Sequence, residues 1–288
     1  MRIVKNPDRI DKDYRETIED LSALIHYAHA ISNFVGSKAV SSEREWYAAA
    51  IFSKILSQCI TLHRLLPSGL AVTANNDSVL WDLASACCIA RAVIEAYDAL
   101  AYIALHPDNI EIVSLRIKLW ELHDTERRVK MLHLIGSTSP HVQQIEAEEA
   151  QLRLELLSEP LVAMLHTSVV GKIRSCETPD FIIPLEARCK ASKISYEYYI
   201  NAKMFLSSHV HTHPFSIHQS MNFCTGDSSS LVLLSLPARY AMVFLAKTIE
   251  GMRTLFGGSL PEADEHTNNT LRIWIEILEN GVCQRGAT

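Results

Sequence analysis

The chain has 288 residues, of which 48% are hydrophobic and 21% are charged, and its net charge at pH 7 is −6. This composition is typical of a soluble globular protein with a large core, and the acidic balance argues against a broad basic face for duplex nucleic acid. The seven cysteines form no Cys-x-x-Cys pair, which predicts buried free thiols in a reducing, cytoplasmic compartment.

Apolar residues recur at intervals of three and four along nearly the whole chain, which predicts helices. The first four cover about 12–35, 42–66, 77–105 and 108–135. Ser41 or Ser42 is expected to cap the second, with Glu45 in the capping-box position, and Asp77 or Ser78 is expected to begin the third.

A charged fifth helix follows and is broken by Pro160, and three more cover about 185–209, 228–256 and 262–280. Pro237 is expected to kink or restart the helix that contains it. The stretch KIRSCETPDFIIP at 172–184 has two prolines and is the best candidate for a weak boundary. The predicted fold is an all-α bundle of about eight helices forming a single domain, residues 1–288.

Two apolar segments are candidates for a membrane span, and only the first, 83–105, is long enough. The segment 83–105 contains Arg91, Glu95 and Asp98, whereas 231–246 is short and holds Pro237. Each charge in the middle of a spanning helix would cost about 2.5–3.5 kcal/mol. We therefore expect no membrane partner.

The third predicted helix, DSVLWDLASACCIARAVIEAYDALAYIAL, is apolar or small almost all the way round, as is typical of a helix at the centre of a bundle. Arg91, Glu95, Asp98 and Tyr102 form a polar stripe on it, and Arg91 and Glu95 have the i,i+4 spacing of an ion pair. The stripe is either the solvent-facing seam of the helix or the lining of a cleft. The small and apolar residues around it favour a cleft.

The segment SSHVHTHPFSIH places His209, His211, His213 and His218 within ten residues. Three interpretations are open. His209, His211 and His213 would bind a divalent metal, the histidines would lie exposed at a helix end, or His211 would act as an acid–base group. Apart from such a metal, no cofactor is expected.

Two motifs resemble those of a family of bacterial all-helical proteins of unknown function. They are Ser-x5-Arg-x3-Glu at 85–95 and Tyr-x7-Ser-Ser-His-Val-His at 199–211, and the likeness covers about residues 75–215. The chain differs from that family by having His209 at a position where an aromatic is expected. The resemblance implies a site formed by five residues: Arg91, Glu95, Tyr199, Ser207 and His211.

That family is in turn similar to HEPN-type helical domains, which include metal-independent RNases with an Arg-x4–6-His motif, commonly dimeric. The spacing occurs here between Arg128 and His133 and between Arg116 and His123, at about the frequency expected by chance. In such RNases the histidine would transfer a proton and the arginine would stabilise the charged phosphorane. The alternative is a solvated helix face.

These patterns together predict a polar cleft between the third helix and the end of the sixth. Arg91 would bind an anionic group, Glu95 would orient it, Ser207 would donate a hydrogen bond and His211 would exchange protons. Further ligand contacts are expected from five residues: Asp98, Tyr102, Trp120, His123 and Tyr199.

The expected partner is a small anionic ligand or RNA, which the protein binds and, in the enzymatic version, cleaves. One alternative is a non-catalytic helical binding or sensor protein, and another is a metalloenzyme built on the histidine cluster. The apolar composition also favours a homodimer. The sequence contains no Gly-rich phosphate loop, Rossmann fingerprint or GxSxG motif, which argues against several common enzyme classes.

Overall fold

A computed structural model describes residues 6–69, 81–106, 109–258 and 260–281 of the chain. These residues form twelve α-helices and a π-helical segment, Ala101–Leu105, and contain no β-strand. The α-helices are α1 (Pro7–Gly36), α2 (Glu43–Leu65), α3 (Leu83–Leu100), α4 (Ile110–Leu134), α5 (Pro140–Ser158), α6 (Pro160–Ala163), α7 (Thr167–Arg174), α8 (Leu185–Ala191), α9 (Tyr196–Val210), α10 (Pro214–Met221), α11 (Ser228–Phe256) and α12 (Glu265–Asn280). The all-α class is confirmed, whereas the predicted number of about eight helices is wrong.

The extra helices arise where the chain turns more often than periodicity predicts. The single helix predicted over 185–209 divides into α8 and α9, because Lys193 adopts a left-handed conformation with φ +56°. The N–H of Ile194 then donates to the carbonyl of Cys189 at 2.8 Å, which closes the end of α8. The histidine-rich loop also folds, into α10.

Side-chain caps set the starts of α2 and α3. Ser42 Oγ accepts from the N–H of Glu45 at 3.2 Å, and the Glu45 carboxylate accepts from the N–H of Ser41 at 3.0 Å, so the predicted capping at this point is confirmed. Asp82 Oδ1 accepts from the N–H of Ser85 at 2.9 Å and begins α3 at Leu83. The predicted starting residues Asp77 and Ser78 lie outside the described residues.

Helices α3 and α11 form the centre of the fold. Helix α3 packs against α2, α9 and α11, while α1 and α12 pack against the other side of α11. Cys87, Ala90 and Ile94 of α3 are completely buried, as its nearly all-apolar surface predicts. Burying a side chain the size of Ile94 stabilises the fold by about 1.5–3 kcal/mol.

Helix α11 is continuous through Pro237. In the part of the chain that the structure describes, it is also the one helix long and apolar enough to cross a membrane, by length and composition. However, 72% of its most apolar stretch is buried within the fold. Such burial is typical of the core helix of a globular protein.

A smaller apolar cluster lies between α4, α5, α6 and α7, and Ile182 packs against both clusters. The predicted boundary segment, 172–184, is hydrogen-bonded both to α4 and to the π-helical segment. The N–H and Oγ1 of Thr178 donate to the buried Glu126 carboxylate of α4, at 2.8 and 2.9 Å, and the N–H of Ile182 donates to the Tyr102 hydroxyl at 3.3 Å. The single domain stays a prediction.

The cysteines only partly follow the prediction. All six in the described part of the chain are free thiols, and Cys59, Cys87 and Cys189 are buried. The other three, Cys88, Cys176 and Cys224, are exposed. The prediction of uniformly buried thiols is therefore wrong for those three, which lie on outward helix faces or in turns.

The π-helical segment joins α3 to the loop before α4. The N–H of His106 donates to the carbonyl of Ala101 at 2.9 Å, which is the wider i→i−5 bond of a π-helix. Two neighbours support the segment. Arg44 Nε of α2 donates to the carbonyl of Ala104 at 2.6 Å, and Gly251 of α11 leaves room for the side chain of Leu105.

Candidate functional site

The contact between α3 and α9 is built around a hydrogen bond from the Tyr199 hydroxyl to the Asp98 carboxylate. Tyr199 is fully buried, and its ring packs against Phe244 of α11. Burial raises the pKa of Asp98, and the bond from Tyr199 opposes that rise. Burial also raises the pKa of Tyr199, so the phenol remains a hydrogen-bond donor at neutral pH.

Helix α9 runs antiparallel to α3 along this contact. Lys203 lies one turn after Tyr199 and is within electrostatic range of Arg91 and Glu95, which precede Asp98 on α3. Burial and the neighbouring Arg91 charge lower the pKa of Lys203, while Asp98 and Glu95 raise it. A second positive charge thus faces Arg91 across the helix contact.

Arg91 and Glu95 form the ion pair that their spacing predicts. Arg91 Nη2 lies 2.7 Å from Glu95 Oε1, with the arginine side chain 15% exposed and the glutamate side chain 58% exposed. Arg91 Nη1 is buried and has no hydrogen-bond partner within the described residues. Glu95 therefore satisfies the hydrogen-bonding capacity of Nη2 but not that of Nη1. A buried N–H group without a partner costs about 1–3 kcal/mol.

Arg188 of α8 brings a third positive charge. Its guanidinium lies 3.6 Å over the ring of Phe181, a cation–π contact. Both Nε and Nη1 are buried and find no hydrogen-bond partner in the described part of the chain. The charges of Arg188, Lys203 and Arg91 act against the burial that raises the pKa of Asp98.

These side chains form what we call the α3–α9 polar cluster. It contains three cations and two carboxylates, which leaves one net positive charge in a chain whose overall charge is −6. Its members are Arg91, Glu95, Asp98, Arg188, Tyr199 and Lys203. The polar stripe is mixed in exposure, because Glu95 lies toward solvent while Arg91 and Asp98 are partly buried.

Ser207 and His211 lie beyond this cluster on α9. Ser207 is partly buried, and its carbonyl accepts from the N–H of His211 at 2.9 Å. His211 is the exposed C-cap of the helix, and its ring centroid lies 5.7 Å from that of His213. Eight residues separate Lys203 from His211, about 12 Å along a helix. The structure therefore holds the imidazole in solvent at the helix end, and its acid–base role stays a prediction.

The three histidines predicted as metal ligands do not converge. His209 is buried, and its Nε2 lies 2.9 Å from Gln219 Oε1 of α10, whereas His211 and His213 point into solvent past the end of α9. Among the residues that the structure describes, no group of three or more His, Cys, Asp or Glu side chains could hold a metal ion. The predicted triad is wrong because the helix end separates its members.

Tyr102 lies at the buried end of the stripe. Only 1% of it is exposed, its hydroxyl accepts from the N–H of Ile182, and the Arg116 guanidinium lies 5.0 Å over its ring. The residue is therefore part of the packing between α3, α4 and the segment before α8. It is not part of the α3–α9 polar cluster.

Trp120 and His123 line a different cavity from the predicted cleft. This cavity of about 690 Å³ also contains Tyr47 and Arg127, and it includes no member of the α3–α9 polar cluster. The Trp120 ring meets Tyr47 edge to face at 5.4 Å, and His123 Nδ1 lies 2.6 Å from the carbonyl of Thr178. The expectation of one shared cleft is wrong, because α4 packs against α2, α5 and the π-helical segment, whereas the polar cluster lies at the contact between α3 and α9.

The two Arg–His spacings of HEPN type have separate local partners. Arg128 lies 3.9 Å from Asp124, while His133 Nε2 lies 2.6 Å from Glu146 of α5. The guanidinium of buried Arg116 donates to the carbonyl of Tyr102 at 3.2 Å, while His123 Nδ1 lies 2.6 Å from the carbonyl of Thr178. This arrangement is typical of helix-surface and helix-packing contacts.

The sequence interpretation missed Lys203 and Arg188. A pattern for Lys203 was present, because it lies four residues after Tyr199 and four before Ser207, on the same face of one helix. No local pattern marks Arg188, since α8 is a short helix that only tertiary packing brings to α3.

Comparisons with known proteins identify no family for this chain. The chain matches no protein-family model, no curated protein and no solved structure.

Proposed function

We propose that the chain binds a small phosphate-bearing anion, such as a nucleotide or the phosphate of an RNA, at the α3–α9 polar cluster. One observation carries this proposal. Guanidinium nitrogens of both Arg91 and Arg188 are buried without hydrogen-bond partners in the described residues. A phosphate oxygen accepts from such groups with charge-assisted hydrogen bonds.

Each member of the cluster has a distinct role in this proposal. Arg91, Arg188 and Lys203 supply the donors and positive charge for the anion. Glu95 holds Arg91 in place through the 2.7 Å ion pair, so it acts as a positioning residue. Tyr199 donates a hydrogen bond to the Asp98 carboxylate, which stabilises part of its negative charge and so reduces repulsion between that carboxylate and the ligand.

The resemblance seen in the sequence supports the same location, because its motifs include Arg91, Glu95 and Tyr199. Binding is favoured over cleavage by the position of His211, which lies in solvent about two turns beyond Lys203. In the cleaving version, an RNA strand with one phosphate bound by Arg91 would extend along α9 past Ser207, and a second phosphate would lie at the His211 imidazole.

The direct test is isothermal titration of the protein with inorganic phosphate and with AMP. We expect Arg91→Ala to weaken binding at least about tenfold, since a charged hydrogen bond contributes about 1.5–3 kcal/mol. The matched control is Arg272→Ala, which removes an exposed arginine paired at i,i+4 with Glu276 at 3.7 Å and should leave binding unchanged. Equal affinity in both variants, or no binding by the wild type, would overturn the proposal.

Incubation with a labelled single-stranded RNA separates binding from cleavage. Cleavage that is lost in both Arg91→Ala and His211→Ala would support the enzymatic version. Retention of AMP binding by His211→Ala, without RNA cleavage by any variant, would support binding alone. Circular dichroism of each variant checks that the helices remain intact.

A further inference from the structure

A second site candidate lies at the π-helical segment. There a cavity of about 540 Å³ lies between the π-helical segment, the residues after α8, and helices α11 and α12. Pockets for small molecules have volumes of roughly 300–1,000 Å³. None of the residues of the α3–α9 polar cluster lines this cavity.

The cavity wall is formed by an unusual backbone. Ala104 and Leu105 of the π-helical segment line it, and π-helical segments are rare and frequently occur at functional sites. Gly251, opposite, also lines it, and an added Cβ at that position would overlap Leu105 Cδ1. The shape of this wall therefore depends on a helix irregularity and on a glycine that accommodates it.

Lys193, whose backbone is left-handed, contributes a positive charge to the same cavity. Lys193 follows the end of α8 with φ +56°, at a position where glycine is the usual residue. Its side chain is exposed, lines the cavity and forms no ion pair within the described part of the chain. Strained backbone positions cluster at functional sites.

The other charges in the cavity are already partly compensated. Lys247 Nζ lies 2.6 Å from Glu250 and 2.5 Å from Glu279, so both carboxylates share one ammonium. Arg44 donates its Nε to the carbonyl of Ala104 and, like Lys193, has no ion pair among the described residues. Lys247 and its two carboxylates together carry one negative charge, while Arg44 and Lys193 carry two positive charges, so the lining has one net positive charge.

We propose that this cavity binds a small organic carboxylate with an apolar body. The carboxylate would pair with Lys193 and Arg44, and the body would lie against Leu105 and Leu255. One net positive charge in the lining matches a monoanion better than a phosphate monoester, which carries about −1.5 to −2 at pH 7. The site is independent of the phosphate-binding function proposed for the polar cluster.

Isothermal titration with hexanoate tests this inference, and hexylammonium, which has the same chain and the opposite charge, is the ligand control. Hexanoate should bind the wild type, and Lys193→Gln and Arg44→Gln should each weaken binding about tenfold. Lys190→Gln removes an exposed lysine of α8 that does not line the cavity and should leave binding unchanged. Absence of hexanoate binding, or equal binding of hexylammonium, would overturn the proposal.

A further variant separates a binding role of Lys193 from a purely structural one. Lys193→Gly relieves the left-handed strain, so it should raise the melting temperature while weakening hexanoate binding as Lys193→Gln does. A variant that is more stable and binds hexanoate as tightly as the wild type would contradict the proposed role. Arg91→Ala should not change hexanoate binding, so failure at either site can be distinguished from failure at the other.

Discussion

Asp98 has a phenol donor at hydrogen-bond distance and three cations within electrostatic range, yet burial still raises its pKa. Desolvation of the charged form therefore outweighs the favourable contacts. In the absence of ligand, the cluster holds a carboxylate that is more costly to ionise than one in water. An anion bound beside it would increase that cost, and Tyr199 and Lys203 are the groups placed to reduce it.

The pH dependence of stability checks this balance. The folded protein binds the Asp98 proton more tightly than the unfolded chain does, where an aspartate pKa is about 3.9. The stability gained from that proton is therefore fully present below about pH 4 and is lost as pH rises through the higher folded value. The amide side chain introduced by Asp98→Asn cannot titrate, so the free energy of unfolding of the wild type minus that of this variant should fall over the same range, measured by urea denaturation. A difference that rises with pH would contradict the account.

For single residues, the sequence predicted the contacts that depend on spacing within one helix. Arg91 and Glu95 are four residues apart on one helix, and their ion pair follows from helix geometry. Asp98 and Tyr199 were both identified as candidates, but their mutual bond joins residues 101 positions apart. Arg188 could not be identified, because its electrostatic interaction with Asp98 depends on how α8 packs against α9.

The π-helical segment and Gly251 form a coupled pair of elements. Replacing Gly251 with alanine adds a Cβ that overlaps Leu105 Cδ1, so Leu105 or the segment must shift. Overpacking of this kind costs about 1–3 kcal/mol, against a gain of about 0.5–1 kcal/mol for alanine over glycine in a helix. We expect Gly251→Ala to destabilise the fold by about 1 kcal/mol in urea denaturation.

Gly171 provides the matched control for this prediction. It lies within α7, and an added Cβ there meets nothing within 4 Å. Gly171→Ala should therefore stabilise the protein by about 0.5–1 kcal/mol through helix propensity alone. If both substitutions stabilise equally, the proposed contact between Gly251 and Leu105 does not constrain the fold.

Long helices were predictable, and their interruptions were not. The apolar periodicity of α1 and α11 extends over more than 20 residues each, which predicts a helix without further information. The break between α8 and α9 centres on the left-handed Lys193, and a bond from the N–H of Ser195 to the carbonyl of Leu278, in α12, holds the start of α9 there. A contact with a helix about 80 residues later leaves no periodic pattern near residue 195.

For the whole molecule, the central feature is the α3–α9 polar cluster, which has one net positive charge in a chain whose net charge is −6. The net charge of −6 repels anions at long range, so binding at the polar cluster has to come from short-range contacts with desolvated donors. Such contacts are screened by salt much less than exposed ones. Selective phosphate binding is therefore expected to depend on Arg91 and Arg188 more than on the overall field.

A crystal structure of the protein grown with AMP tests this account most directly. We expect a phosphate group between α3 and α9, with its oxygens at about 2.7–2.9 Å from Arg91 Nη1 and from a guanidinium nitrogen of Arg188. A nucleotide bound elsewhere on the molecule, with both of those guanidinium groups still unpartnered, would contradict it.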